Sequence, residues 1–406
     1  MPKQLYLAYL NTLTFSCVQM ILYTTIPYIA EKTGVVTANI IAAISVGSLI
    51  FSFMGPFWAA KSDKLGRKKV LSFGMFGMAI SFFLLASLFL FNDYLSLTIK
   101  IIFIYLSRIF YGLLCSAIVP VSQAWQLDLI GEEDHLKVLT KNSMCLNLGR
   151  ILGPILILVK QVNFEFVIYC ASVWVSILSL SVFLSSSNTK KFYDSSKDNI
   201  SFKKLLSRWK LSINESLLPI LLAMIFTSFI GILHSFLGSH LKSVLHITGQ
   251  EATIMFAKII LVLSVLAIIF QQLSIVVFKS NWVPRVLIGS VSIVIGTWLM
   301  MIAKNKSLIW ISIFIISIST ALIPPAYLAL TSKSNENNEK TNVFGKKLGL
   351  ASIAHSLGYA IGAGLIAISM KLNILAESTV VIFISFIILY ISFLLILKSR
   401  NSYVRS

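Results

Sequence analysis

The chain has 406 residues, 57% of them hydrophobic and only 12% charged, with a mean hydropathy of +0.87. Soluble domains carry about twice that share of charge, so a soluble enzyme or binding module is excluded. The net charge of +19 would suit nucleic acid if it were clustered in a soluble patch, but here the cations lie in short segments between apolar runs, a placement that excludes a nucleic-acid partner and suits lipid headgroups.

Twelve apolar runs, each long enough to cross ~30 Å of hydrocarbon, are read at 5–30, 38–60, 70–91, 98–125, 137–160, 163–185, 215–240, 252–278, 284–303, 307–331, 345–370 and 376–398. Backbone polar groups in lipid must be satisfied within each segment, so these runs are predicted to be helices. The first run follows Met1-Pro2-Lys3-Gln4 directly; it is too long for a signal-peptide core and is read as span 1. With the N-terminus inside, 24 of the 34 Lys and Arg fall in cytoplasmic segments, seven fall outside, and three (Arg108, Arg150 and Lys258) lie within spans. The positive-inside rule therefore predicts that both termini are cytoplasmic.

Between spans 2 and 3 the sequence Gly55-Pro56-Phe57-Trp58-Ala59-Ala60-Lys61-Ser62-Asp63-Lys64-Leu65-Gly66-Arg67-Lys68-Lys69 places five cations and one carboxylate within nine residues. This G-x(7)-D-x-x-G-R-K-K pattern resembles the loop between spans 2 and 3 of major facilitator superfamily transporters. The resemblance gives Asp63, Gly66 and Arg67 a gating role, with Asp128 at the inner end of span 4 as the partner of Arg67. It departs from the family at Lys64, where Arg is usual. The positive N-terminal end of span 11, near Gly345, Lys346 and Lys347, is expected to receive Asp63.

Two further stretches resemble motifs of the same superfamily. Arg108-Ile109-Phe110-Tyr111-Gly112 in span 4 fits R-x-x-x-G. Gly149-Arg150-Ile151-Leu152-Gly153-Pro154 in span 5 fits the G-x-x-x-G-P of its exporters. Physically, Gly149 and Gly153 share one helix face and admit a close neighbour, while Pro154 removes a backbone donor and bends the helix.

The longest polar interval, 186–213, divides the spans six and six. Phe202, Leu205, Leu206 and Trp209 recur at helical spacing among Lys203, Lys204, Arg208 and Lys210, which reads as a basic amphipathic helix in a cytoplasmic linker. The domains are thus an N-terminal bundle over 1–185, the linker over 186–213 and a C-terminal bundle over 214–406. The segment Lys279-Ser280-Asn281-Trp282-Val283-Pro284-Arg285-Val286-Leu287 repeats the first charged loop at the same place in the second half, with Asn281 where Asp63 stands. This supports two parallel six-helix halves, the organisation that the resemblance implies. The fold class is an all-α membrane protein of twelve helices.

Charges inside the membrane point to the cargo. Arg108, Arg150 and Lys258 lie within spans, whereas all 15 carboxylates lie in loops or at span ends. Such cations cost several kcal/mol and face a water-filled path. With no acidic residue to neutralise them, an anionic substrate is the expected counter-ion. Lipophilic-cation pumps place Asp or Glu there instead. Since the resemblance implies that the first and fourth spans of each half line the path, the substrate-binding candidates are Asn11, Gln19 and Tyr23 in span 1, Arg108 and Gln123 in span 4, Asn147 and Arg150 in span 5, His234 in span 7, Lys258 in span 8, and His355 and Tyr359 in span 11. The histidines are also candidates for carrying protons.

Cys17, Cys115, Cys145 and Cys170 lie in spans without metal-ligand spacing and read as packing residues. No metal site, catalytic constellation or Gly-rich phosphate loop is present in the sequence, so neither an enzyme nor an ATP-driven pump is expected. The resulting reading is a monomeric secondary transporter of a bacterial inner membrane, without cofactor. Driven by a proton gradient or the membrane potential, it exports a small anionic or polycarboxylate metabolite such as a siderophore. Importers of a carboxylate or metal chelate, a broad drug:proton antiporter, and a non-transporting membrane sensor or scaffold stand as alternatives.

Overall fold

The computed structural model describes residues 3–130, 135–159, 163–185, 202–279, 281–332, 342–373 and 376–404. All regular structure among them is helical: α1 (Lys3–Thr33), α2 (Thr37–Leu65), α3 (Arg67–Leu90), α4 (Leu97–Leu114), a 3-10 turn (Cys115–Ala117), α5 (Ile118–Ile130), α6 (His135–Leu158), α7 (Phe164–Leu184), α8 (Phe202–Leu245), α9 (Gly249–Phe278), α10 (Val283–Ile302), α11 (Lys306–Ser332), α12 (Asn342–Leu372) and α13 (Glu377–Val404). Eleven segments among the described residues are long and apolar enough to cross a membrane, α4 to α5 counting as one. The remaining helix, α6, is made more polar by Lys141, Asn142, Asn147 and Arg150.

The expected single helix over 98–125 is broken. Pro120 offers no N–H to the Ser116 carbonyl, and the helix tightens to a 3-10 turn just before it. The Trp58 indole N–H donates to the Leu113 carbonyl at 2.6 Å, and the Ser116 hydroxyl donates to it at 3.4 Å. The amphipathic helix read in the linker is not a separate element. It begins at Phe202 and runs without interruption into the seventh span as α8; residues 186–201 lie outside the described residues.

The chain divides into two compact units, Met1–Asn199 with Ile247–Leu261, and Ile200–His246 with Val262–Ser406. In the first, α1 packs on α6, and α3 on both α4 and α7; in the second, α8 packs on α12, and α10 on both α11 and α13. The same pairings recur in order, as expected of two repeated halves. Small residues make these contacts intimate. A Cβ on Gly153 would lie 2.6 Å from the Cys17 carbonyl oxygen, and one on Gly362 would overlap that of Ser228. Between α3 and α7, the Ser72 and Ser179 hydroxyls each donate to the other's carbonyl at 2.9 and 3.0 Å, a pattern that joins helices where apolar burial gives no preference over lipid. Large apolar side chains such as Phe76, Phe83, Ile177, Phe383 and Phe393 remain exposed, as a lipid-facing surface requires.

Candidate functional site

The charged loop of the first half forms a compact three-helix tie. Gly66, at φ +94°, ends α2 and starts α3 in a backbone conformation that side-chain-bearing residues rarely adopt. The turn it makes lets Arg67 span three elements. Its Nη1 reaches Asp63 at 2.5 Å and donates to Ser62 Oγ at 2.6 Å on α2, and its Nε donates to Asp128 on α5 at 2.9 Å. The expected Arg67–Asp128 pair is therefore present. The expected seat of Asp63 against Gly345, Lys346 and Lys347 falls on side chains outside the described residues. In the second copy, Arg285 donates instead to the carbonyls of Ser274 (3.1 Å) and Lys279 (2.5 Å), and Asn281 accepts from the Val283 N–H. Only the first copy has a carboxylate to bind.

About 11 residues into α4, ~16 Å from its N-terminal end, Arg108 is 3% exposed. Its Nη2 donates to Ser81 Oγ at 2.6 Å and to Ser107 Oγ at 2.8 Å. The guanidinium lies 5.2 Å from the Tyr111 ring centroid and 5.9 Å from that of Phe82, distances at which a ring face attracts a cation. Among the described residues no carboxylate pairs with it; Glu165 pairs with Lys32, and Asp63 and Asp128 with Arg67. Gln19 connects this centre to α1, its Nε2 donating to Tyr111 OH at 3.0 Å and to Tyr23 OH at 3.2 Å.

Arg150 is brought to the Gln19 side of the α1–α6 seam by helix geometry. α1 and α6 run parallel: Thr12 donates to Asn142 Oδ1 (2.9 Å), Ser16 donates to the Leu146 carbonyl (2.7 Å), and Gly149 and then Gly153 meet successively higher levels of α1. At about 100° per residue, Ser143, Asn147 and Arg150 lie on one flank of this seam. All three are exposed, as are Met144, Leu148, Leu152 and Ile155 on the other flank. For two parallel right-handed helices, the polar flank of α6 is the side to which Gln19 and Tyr23 turn on α1. The opposite side of α1 meets α7, where the Trp174 indole donates to Thr14. Gln19 and Tyr23 on α1 and Asn147 and Arg150 on α6 thus flank the α1–α6 seam on one side, and Gln19 bonds to Tyr111, over whose ring the Arg108 guanidinium lies.

Other sequence candidates are placed elsewhere. Asn11 is buried, its Nδ2 donating to the Leu7 carbonyl of its own helix, and it does not join Gln19 and Tyr23. Gln123 is half-buried, and the polar contact in its neighbourhood is made by Gln126, three residues on. Gln126 Nε2 donates to Asn142 Oδ1 (3.0 Å) and to Ser122 Oγ (3.3 Å), and the Thr12 and Ser122 hydroxyls lie 3.2 Å apart, joining α1, α5 and α6. Lys258 is exposed in the middle of the α9 face opposite Ala252, Phe256 and Ile259, with Ile254, Leu261 and Val265 around it. It is not brought to the Arg108 group. In the second unit, His234 Nδ1 hydrogen-bonds with Tyr359 OH, and His355 lies edge-on to Tyr327 with ring centroids 5.4 Å apart.

Ser81, Ser107, Tyr111 and Gln126 were not singled out in the sequence. The one available signal was helical spacing: Tyr111 is one turn beyond Arg108, and Gln126 one turn beyond Ser122.

The family model described as Major Facilitator Superfamily matches residues 8–363. No curated relative matches the chain by sequence. Among solved structures, the chain is similar to the nucleoside transporter NupG, with 14% identity, a TM-score of 0.67, and 97% of this chain and 98% of that one covered. It is also similar to the human organic anion transporter MFSD10 (TETRAN), with 15% identity, a TM-score of 0.65, and 97% of this chain and all of that one covered. A POT family transporter in complex with a thioalcohol-conjugated peptide gives 12% identity, a TM-score of 0.73, and coverage of 99% of this chain and 97% of that one. At these identities the likeness is one of fold.

Proposed function

Since the chain belongs to the major facilitator superfamily and is a secondary membrane transporter, we propose that its cargo is a small organic anion, carried by alternating access between the two halves. The observation that carries this reading is Arg108: a guanidinium at mid-membrane depth, held by hydroxyls and aromatic faces with no carboxylate among the described residues to neutralise it. Burying such a charge costs about 2.5–3.5 kcal/mol even on the mildest scales, and a substrate carboxylate returns part of that by charge-assisted hydrogen bonding. Arg150 and Asn147, on the side of the α1–α6 seam that Gln19 and Tyr23 flank, supply a second cationic contact and an amide. Polycarboxylates, siderophore-like chelators among them, match two cations without an acidic counterpart.

Export is the direction we favour, on the resemblance of Gly149 to Pro154 to the exporter motif. A negative cytoplasm also contributes about 2.3 kcal/mol per 100 mV for each negative charge expelled. The orientation follows the cation distribution, with both termini cytoplasmic in an inner (plasma) membrane, and the proton gradient or membrane potential is the driving force. Counterflow in proteoliposomes with radiolabelled citrate and succinate, against xylose and tetraphenylphosphonium, tests the class. Selective exchange of the carboxylates supports it, and exchange of the cation or the sugar alone contradicts it. Uptake of the same carboxylate into inside-out but not right-side-out vesicles separates export from import, the second reading.

A further inference from the structure

We propose that His234, hydrogen-bonded to Tyr359, is the proton-binding site through which this transporter responds to a pH gradient. The inference rests on the transporter reading above but not on the cargo being an anion.

A proton-driven carrier needs a group at membrane depth that gains and loses a proton near neutral pH. Carboxylates serve that purpose in many membrane proteins, but here every one of the 15 lies in a loop or at a span end. Of the side chains that remain, imidazole alone has an ordinary pKa in the right range, about 6.5. His234 is 8% exposed on α8, 11 residues from Leu245, which places it ~16 Å from the outer end of the helix. His240, further outward on the same helix, turns to α10 instead, its Nε2 lying 3.4 Å from the Met300 carbonyl.

The partner is what makes His234 a switch rather than a packed ring. When the imidazole is neutral with its proton on Nε2, Nδ1 is an acceptor and the Tyr359 hydroxyl donates to it. When a proton binds, both ring nitrogens become donors. Nδ1–H then donates to the Tyr359 oxygen, and the tyrosine proton turns to another acceptor. Binding one proton therefore reverses the direction of a hydrogen bond between α8 and α12.

That bond lies on the tightest seam of the second half. A Cβ on Gly231 would lie 2.8 Å from the Tyr359 carbonyl oxygen, and one on Gly358 would come closer still to that of Met224. With so little slack, a change in bonding at His234 is transmitted to the α8–α12 packing rather than absorbed by it. Among the described side chains, the other titratable or charged groups on the helices packed against α8 are Tyr327 and, at the first residue of its helix, Lys306 on α11, His355 and Lys371 on α12, and Glu377, Tyr390 and Lys398 on α13; α8 itself adds His240 and Lys242. Glu377 and Lys371 are at the outer ends of their helices, Lys398 is near the far end of α13, and Tyr390 is 62% exposed. His355, one turn from Tyr359 on α12 and edge-on to Tyr327, is the nearest second imidazole on that helix and provides the internal control.

The test needs no substrate. Spin labels on cysteines at Asn92 and Asn305, in the full chain with Cys17, Cys115, Cys145 and Cys170 replaced by alanine, report the distance distribution in nanodiscs between pH 8 and pH 5. The expected result is a shift between two populations with a midpoint between pH 5 and 8. The shift should be lost in His234→Gln, moved by about one pH unit in Tyr359→Phe, and kept in His355→Gln. A wild-type protein with no shift, or a shift that survives unchanged in His234→Gln, overturns the proposal. Should His234→Gln fail to fold, histidine-labelled ¹⁵N spectra of the wild type and of Tyr359→Phe decide it. His234 must titrate in that window and respond to loss of the hydroxyl; an imidazole that remains neutral throughout is contrary to the assignment.

Discussion

Arg67 on α3 donates through Nε to Asp128 on α5 at 2.9 Å, and through Nη1 it also holds Asp63 and Ser62 on α2. One guanidinium thus ties the start of α3 to the C-terminal ends of α2 and α5, with a planar fork that an ammonium cannot reproduce. These groups are partly exposed, with side-chain exposures of 18% for Arg67, 31% for Asp128 and 43% for Asp63, so the pairs stabilise the fold by only about 0–1 kcal/mol. Their effect should appear in turnover instead. Asp63→Asn, Asp128→Asn and Arg67→Lys are expected to keep wild-type expression and Tm to within a few degrees while slowing proteoliposome exchange about tenfold or more. Normal exchange in well-folded Asp128→Asn would dismiss the tie as surface decoration.

The α1–α6 seam should tolerate no added carbon. A methyl at Gly153 would meet the Cys17 carbonyl oxygen at 2.6 Å, and one at Gly149 would press on that of Leu13 more closely still. Backbone atoms on both sides leave no flexible group to give way, so Gly153→Ala and Gly149→Ala should each lose about 1–3 kcal/mol. Leu152→Ala, on the exposed flank of the same helix, should leave stability nearly unchanged. Thermal unfolding of the three variants in one detergent compares them; equal Tm values would mean that α6 does not pack as described.

Orientation is open to a direct assay. Single cysteines at Ser195 and Ser402, in a background lacking the four native cysteines, should resist a membrane-impermeant maleimide in intact cells and react after permeabilisation. A cysteine at Asn163 or Asn305 should react without it. Labelling at Ser195 in intact cells would invert the topology drawn from the cation distribution.

Much of the fold was legible because lipid constrains it so strongly. Apolar runs of sufficient length can only be helices, and the recurrence of Lys279 to Leu287 after Lys61 to Leu71 marked two repeated halves that the matching α1–α6 and α8–α12 seams now display. The break before Pro120 escaped because hydropathy is blind to backbone hydrogen bonding. The union of the linker helix with α8 escaped because the polar stretch around Asn214 and Glu215 ends an apolar run without ending a helix. The site was half legible. A cation in a span announces itself, as Arg108 did, whereas its serine partners look like any small residue of a span. Lys258 shows the converse: charge within a span marks depth, not direction, and its place on α9 is opposite the packed face. Asn11 illustrates the same loss, since polar residues eight apart share a helix face yet one of them turned back onto its own backbone.

Arg108 and Arg150 are proposed to form together an anion-binding centre in the first half. The most direct measurement is equilibrium binding of radiolabelled citrate to purified wild type, Arg150→Gln, Arg150→Lys and Arg108→Gln, with Tm determined on the same preparations. Arg150 is exposed, so Arg150→Gln should keep wild-type Tm and lose affinity about tenfold, roughly 1.4 kcal/mol. Arg150→Lys should recover only part of this, for want of a bidentate fork. Arg108→Gln should lose affinity at least as severely, with some loss of Tm because Ser81 and Ser107 lose their donor. Citrate bound as tightly by Arg150→Gln and Arg108→Gln as by wild type, or bound by none of the four while a neutral or cationic solute binds, would rule out such a centre.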